Sequence, residues 1–357
     1  MCGILGYFRK TPGSDDQLGA TMLSMLEALG RRGPDSAGVA LVGPVHRASY
    51  IVRIQAGDEL NLSQQAIDEN REAIETFARG LDKASDVSSS GVYVRFLLAG
   101  DIDLPALTSR IEALGEGIRV LSVGHAMELS KEVGSPRLLE GKHHISAFAG
   151  THGIGHTRLC TESIVDLSHS QPFWGRGAAD VAIVHNGHIT NYHQLRRKYE
   201  QRGVGFVTEN DSEVLAVYLA EALNRGATLR QGLDGVLRDM DGAFSCLAVT
   251  ASEMGFVKDP YAFKPLVVCG NTGQAFADSM YATTCYVGGS IGALGTDAVI
   301  EPLPAEEAAT LDRLLAEHLP AELRARKPAG RDFKKVVAGR KLWNFDKHNW
   351  KAWQDAL

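Results

Sequence analysis

Cys2-Gly3-Ile4-Leu5-Gly6-Tyr7 stands at the start of the chain. Ile4 to Tyr7 reads as a strand beginning almost at the terminus, which ties down an end that otherwise frays. Such a strand holds Cys2 at a fixed point in space. Removal of Met1, expected before a small side chain, leaves a thiol and a free α-amine on one residue. That amine has an ordinary pKa of about 8, so it serves as general base and acid for a thiol nucleophile without a histidine. The alternative is a chance cysteine at the second position. A lipid-modified cysteine is disfavoured because no signal sequence precedes it.

Beyond this strand, Ser14 with Asp15 and Asp16 reads as a helix N-cap. Leu18, Met22, Met25, Leu26 and Leu29 then recur at helical spacing up to Gly30. Arg32-Gly-Pro-Asp-Ser-Ala-Gly38 is turn chemistry leading into an apolar strand at 39–42. Residues 43–148 read as a small inserted α+β lobe. It has a strand near 48–54, a helix over 63–81, an alternating strand at Val92, Val94, Phe96 and Leu98, a second helix through Leu107 and Ile111, and a strand at 118–123. That lobe carries no catalytic motif. Apolar strands follow at 181–184, 243–249 and 266–268, with amphipathic helices near 192–199 and 214–223. After a helix at 305–319, eight Lys/Arg face one acidic residue between Arg324 and Lys341, and Trp343, Trp350 and Trp353 follow.

The 357 residues suggest two domains, or one large domain with an insertion, and bury a core without disulfide staples. A net charge of −6 argues against a general nucleic-acid binder, whose footprint is basic. No apolar run approaches the ~20 residues of a membrane span, so a cytoplasmic protein with no membrane contact is expected. The five cysteines form no CxxC pair, which points to reduced thiols, and Cys160, Cys246, Cys269 and Cys285 read as small core hydrophobes. His143, His144, His152 and His156 match no zinc spacing, so no metal is expected. The glycine-rich 288–295 lacks the Gly-Lys-Ser/Thr ending of a phosphate loop.

Cys2-Gly-Ile-Leu-Gly6 resembles the opening of the class II glutamine amidotransferases, N-terminal-nucleophile enzymes that hydrolyse glutamine to feed ammonia to a synthase. The resemblance recurs in order at Arg32 to Gly38, Gly153-Ile-Gly-His-Thr-Arg158, His185-Asn-Gly187, Glu209-Asn-Asp-Ser-Glu213 and Asp241-Gly-Ala-Phe244. It covers roughly residues 1–270 and is interrupted by the 43–148 block. It implies a four-layer αββα sandwich, α+β in class, with Cys2 at the end of a central strand. The expected domains are 1–42 with 149–300 as the amidotransferase, 43–148 as the inserted lobe, and 301–357 as a C-terminal helix and basic, tryptophan-rich tail.

Glutamine presents an α-carboxylate, an α-ammonium and a side-chain amide, and each motif offers a partner. Arg158 suits the carboxylate through two parallel hydrogen bonds, a structural ion pair being the alternative. Asp211 suits the ammonium, and a helix N-cap is its other reading. Asn186 and Gly187 follow an apolar strand and offer an amide and an unhindered N–H to an oxyanion, where a lone Asn-Gly reads as a hairpin turn. By resemblance Arg32 lies beside the nucleophile, and Thr161 belongs to the glutamine pocket. Many members continue His-Thr-Arg-Trp-Ala-Thr-His-Gly, whereas this chain reads His156-Thr-Arg-Leu-Cys-Thr-Glu-Ser163, losing the aromatic and the second histidine.

Ser168-His-Ser-Gln-Pro-Phe173 resembles the corresponding stretch of glutamate synthases. Fewer than 90 residues follow position 270, too few for an acceptor-side synthase domain. The resemblance therefore implies a stand-alone amidotransferase subunit, similar to those of archaeal-type glutamate synthase or N-methylglutamate synthase. It would act in a hetero-oligomer whose flavin (FMN) and iron–sulfur centres lie on partner subunits, with none on this chain. A catalytically altered subunit serving as an assembly module, and a free-standing amidase, are the alternatives.

Overall fold

Alternation with a period of two writes the architecture into the strands. In the computed structural model, the described residues are 2–9, 17–30, 33–159, 164–259, 266–268, 271–272, 276, 284–295, 298–319 and 328–338. Two units separate at residues 257/258. The first runs β1 (Gly3–Phe8), α1 (Leu18–Leu29), β2 (Ser36–Val42), β3 (Ser49–Gln55), α2 (Gln64–Arg79), β4 (Ala84–Ser90), β5 (Tyr93–Ala99), α3 (Leu104–Glu112), β6 (Arg119–Gly124), β7 (Met127–Val133) and α4 (Arg137–His143). It continues with β8 (His152–Arg158), β9 (Phe173–Trp174), β10 (Ala182–Ile189), α5 (Tyr192–Glu200), α6 (Asp211–Asn224), α7 (Leu229–Asp239), β11 (Gly242–Val249) and β12 (Met254–Lys258).

The first sheet has the order β1-β8-β2-β7 and the second β12-β11-β10-β9. On β2, Ala37, Val39 and Leu41 join Leu5 of β1 and pack on Leu18, Met22 and Leu26 of α1. The intervening Ala40 and Val42, with Ile154 of β8, share a cluster with Ala182 and Val184 of β10 and Val249 of β11, so the two sheets face each other. The other side of the second sheet, Ile183, Phe244, Cys246 and Ala248, packs on Leu215 and Leu219 of α6 and Leu233 and Val236 of α7. The layers are thus α, β, β, α, the sandwich expected from the sequence.

The block at 43–148 divides. β3 to β6 form their own sheet in the order β4-β5-β3-β6. Its Val52, Ile54, Val94 and Phe96 pack on Ile67 and Ile74 of α2 and Leu107 and Ile111 of α3. β7, by contrast, leaves the lobe and pairs along β2 from Ser36↔Val133 to Val42↔Met127, completing the first sheet. Its buried Met127 and Leu129 make that placement favourable. Helix α2 starts where its Ser63 cap accepts from Ala66 N. The cap expected at Ser14 lies outside the described residues.

The second unit holds β13 (Leu266–Val268), β14 (Cys285–Val287), β15 (Ala298–Glu301), α8 (Ala305–His318) and β16 (Lys334–Ala338) in a sheet ordered β13-β14-β16-β15. Leu311 and Leu315 of α8 pack on Phe333. The expected helix is present, but part of the basic stretch is an interior strand: β16 lies between β14 and β15. The Ala298–Glu301 strand shares that sheet, so it spans the boundary expected near residue 300. Trp343, Trp350 and Trp353 lie outside the described residues.

Candidate active site

β1 pairs with β8 from Gly3↔Thr157, and Arg158 lies opposite Ser36 of β2. Side chains directly opposite in a ladder share a face, and Ile4 faces the second sheet, so Cys2, Arg158 and Ser36 form a row on that inner face. Gly3 permits the approach, because a Cβ there would meet Thr157 Oγ1 at 2.9 Å and Leu29 Cδ1 at 3.0 Å. The Cys2 sulfur accepts from Leu159 N at 3.3 Å and lies 3.5 Å from Leu159 O. From the opposite sheet, Asn186 Nδ2 donates to the carbonyl oxygen of Cys2 at 3.0 Å. The structure therefore brings the cysteine, the arginine and the asparagine of three distant motifs to one end of the sandwich.

Gly187 has φ of +139°, and a Cβ there would stand 2.0 Å from Ala243 O of β11. The residue is glycine because both its backbone conformation and its neighbour exclude a side chain. Arg158 is buried and its Nη1 donates to Ile164 O at 2.9 Å. Next to this row, His156 is fully buried and its ring nitrogens make no close hydrogen bond among the described residues. Burial, with the charges of His185 and Arg158, pushes its imidazole down to about 3, the nearby His185 backbone opposing only weakly.

Asp211 opens α6, while Asn210 is the cap, accepting from Ser212 N at 2.9 Å. The Asp211 carboxylate accepts from Ile189 N at 2.9 Å and lies 3.5 Å from His185 Nδ1 and 3.8 Å from His188 Nδ1. Burial raises its pKa, but the His185 hydrogen bond and charge, the Ile189 N–H and His188 outweigh it and hold the group below the usual carboxylate range. It is an anion at the far end of the strand that carries Asn186. Glu213, from the same motif, accepts from Val207 N, Thr208 N and Thr208 Oγ1 and so fixes the loop before α6.

Arg32 and Thr161, singled out by the motifs, lie outside the described residues, as do Cys160 and Cys269. Cys246 and Cys285 are buried; burial pushes the first thiol far up and the second to about 11, which leaves them as inert core groups. The sequence reading passed over Ser36, Gln171 and Ser212. Each lies within a motif it had marked, but nothing in residue type alone distinguishes them.

A cysteine held at the start of the first strand, at the end of a four-layer sandwich and against an asparagine from the facing sheet, is the arrangement of the N-terminal-nucleophile hydrolases. A family model described as a glutamine amidotransferase domain matches residues 156–283. The chain is 36% identical over 269 residues to the glutamine amidotransferase-like protein GlxB of Rhizobium meliloti, covering 75% of this chain and 85% of that one. It is 37% identical over 276 residues to a putative glutamine amidotransferase of Methanothermobacter thermautotrophicus, covering 76% and 88%. A solved structure titled as the allosteric regulatory enzyme of purine biosynthesis aligns at 18% identity and a TM-score of 0.45, over 73% of this chain and 38% of that one. The chain belongs to the class II glutamine amidotransferases. Its amide donor is accordingly glutamine. No helix among the described residues is long and apolar enough to cross a membrane.

Proposed function

We propose that this chain is the glutamine-hydrolysing subunit of a glutamate-synthase-like assembly, in which Cys2 splits glutamine and the ammonia passes to a partner chain. The observation that carries this reading is the 3.0 Å hydrogen bond from Asn186 to Cys2, which keeps an amide donor beside the nucleophile. An Asn amide has two donor hydrogens, so one is left for an oxyanion while the other holds Cys2.

In the reaction, the α-amine exposed by loss of Met1 takes the thiol proton. The sulfur attacks the side-chain carbonyl carbon of glutamine, a C–S bond forms, and the carbonyl becomes an oxyanion facing Asn186 Nδ2 and the Gly187 N–H. Collapse breaks the C–N bond, and the leaving amine carries the proton away as ammonia. Water then attacks the γ-glutamyl thioester through a second oxyanion, and glutamate leaves with the thiol restored. Arg158 binds the α-carboxylate, Asp211 the α-ammonium, and Arg32 and Thr161 complete the pocket.

The glutamate-synthase likeness rests on Ser168-His-Ser-Gln-Pro-Phe173. In this reading FMN and iron–sulfur centres belong to the partner, and the assembly works in nitrogen metabolism. Ammonia release by the purified chain, alone and with co-purifying proteins, tests it. Cys2→Ala abolishes release without lowering the melting temperature, and Cys2→Ser is far slower. Wild-type rates in Cys2→Ala overturn the assignment, and a wild-type chain inert in both settings leaves the fold as an assembly module.

A further inference from the structure

Gln171-Pro172-Phe173 is a marked motif to which the reaction assigns no task. β9 is only two residues long, pairing Trp174 with Ala182 and Phe173 with Ile183 of β10. Continued along the same register, the next positions set Pro172 opposite Val184 and Gln171 opposite His185. The paired backbone of β9 ends at Phe173, before the position opposite His185. The Gln171 side chain takes over. Its Oε1 accepts from His185 N at 2.6 Å and its Nε2 donates to His185 O at 2.9 Å. One side-chain amide thus exchanges both hydrogen bonds with His185, as an antiparallel partner residue does through its backbone.

The clamp is itself braced. Nε2 also reaches Ser212 Oγ at 3.3 Å, and that hydroxyl lies 2.9 Å from His185 Nδ1. On the other side, the buried Lys131 Nζ of β7 donates to Ser170 O at 2.9 Å. Gly38 of β2 leaves the necessary space, since a Cβ there would stand 2.2 Å from Gln171 O and 2.9 Å from Pro172 Cδ. Gly38 and Gln171 belong to different sequence motifs and meet at this one point.

We infer that Gln171 is a positioning residue: its amide stands in for the missing strand beside His185 and thereby aims the next two residues, Asn186 and Gly187, at the carbonyl under attack by Cys2. The inference rests on the glutaminase reading above. Losing an oxyanion donor outright typically costs ~10²- to 10³-fold. Loosening two donors without removing either costs less, on the order of 10- to 100-fold in kcat, with little change in KM because Gln171 touches neither charge of the substrate.

The test uses the full chain after Met1 removal and compares wild type, Gln171→Leu and Gln171→Glu. The leucine removes both bonds, while the glutamate keeps the acceptor for His185 N–H and loses the donor to His185 O. The expected order of kcat is wild type, then Glu, then Leu, at nearly constant KM for glutamine. Alkylation of Cys2 by iodoacetamide displaces iodide without forming an oxyanion, so its rate is expected to stay within about twofold in all three. Hydrogen exchange at residues 185–187 accelerates in the leucine variant. Unchanged kcat, or a rise in KM with kcat intact, overturns the inference, as does a parallel loss of alkylation. Should wild type itself release no ammonia, the glutaminase reading fails while hydrogen exchange still decides whether the clamp exists; unaltered exchange in Gln171→Leu refutes it.

Discussion

Asn186 holds the Cys2 carbonyl, and in the proposed reaction its second amide hydrogen meets the oxyanion. Asn186→Ala is therefore expected to lower kcat for glutamine hydrolysis ~10²- to 10³-fold, with KM nearly unchanged. Arg158→Lys, keeping charge but losing the planar fork, acts the opposite way and raises KM; steady-state kinetics separate the two. His156 lends the site a pH dependence of stability. Its folded imidazole stays neutral down to about 3 against an ordinary 6.5. Between those values the unfolded chain holds the extra proton, so stability falls as pH drops from 6.5 toward 3. His156→Phe is expected to flatten that slope by about one proton, measured by urea unfolding from neutral to acid pH. These residues were legible to different degrees. Cys2, Arg158 and Asn186 were marked because thiol, guanidinium and amide match the parts of glutamine. His156 and Gln171 owe their roles to burial and register, which residue type does not encode.

At the scale of elements, one strand ties the inserted sheet to the sandwich. Glu128 of β7 accepts from Arg53 of β3 at 3.1 Å and from Arg95 of β5 at 2.9 Å and 3.1 Å. Burial raises the Glu128 pKa, but the hydrogen bonds and charges of Arg95 and Arg53 outweigh it and keep the carboxyl below its usual range. Among the described residues, Glu128→Ala leaves Arg95 only its pair with Asp86 at 2.9 Å and Arg53 only its contact with His143 at 3.2 Å, and is expected to cost about 2 kcal/mol, read as a lowered urea midpoint. A depressed carboxyl stabilises at neutral pH, and its contribution disappears as pH falls through the folded pKa, below the ordinary 4.5. The difference between wild type and Glu128→Ala should therefore shrink in acid. The sequence reading places residues 127–133, which form β7, inside the 43–148 lobe and marks no strand there. The strand follows the lobe directly and carries its ion pairs, yet its hydrogen bonds go to β2. β4 escaped notice for another reason: Ala84-Ser-Asp-Val-Ser-Ser-Ser90 is a mostly exposed edge strand, and an edge turned to water needs no apolar alternation. Strands buried on both faces, such as β2, and capped helices, such as α2, were legible because core packing and cap chemistry leave their mark in residue type.

For the whole molecule, the basic stretch near the C-terminus sets the last test. From composition alone, Arg324 to Lys341 and the three tryptophans beyond read either as a connector to a partner chain, with aromatic anchors of the kind enriched in interface hot spots, or as a tail packed back on this chain's own domain. The structure divides that stretch. Lys334–Ala338 is β16, hydrogen-bonded to β14 on one side and β15 on the other, with Val336 fully buried and Lys335 paired to Glu307 at 2.8 Å. Ending the chain at Arg331 removes an interior strand and exposes two sheet edges, so that truncation is expected to unfold the second unit and promote aggregation. Ending it after Ala338 deletes every residue from 339 onward, including Trp343, Trp350 and Trp353, and leaves the sheet intact. The shorter deletion is therefore the one that isolates the partner question. It is expected to preserve the melting temperature and the glutaminase rate of the isolated chain while abolishing co-purification with a flavoprotein. Because the proposed catalytic and substrate-binding residues all lie at or before position 211, a chain cut after 338 that still co-purifies with its flavoprotein places the docking surface elsewhere and leaves the chemistry at Cys2 untouched.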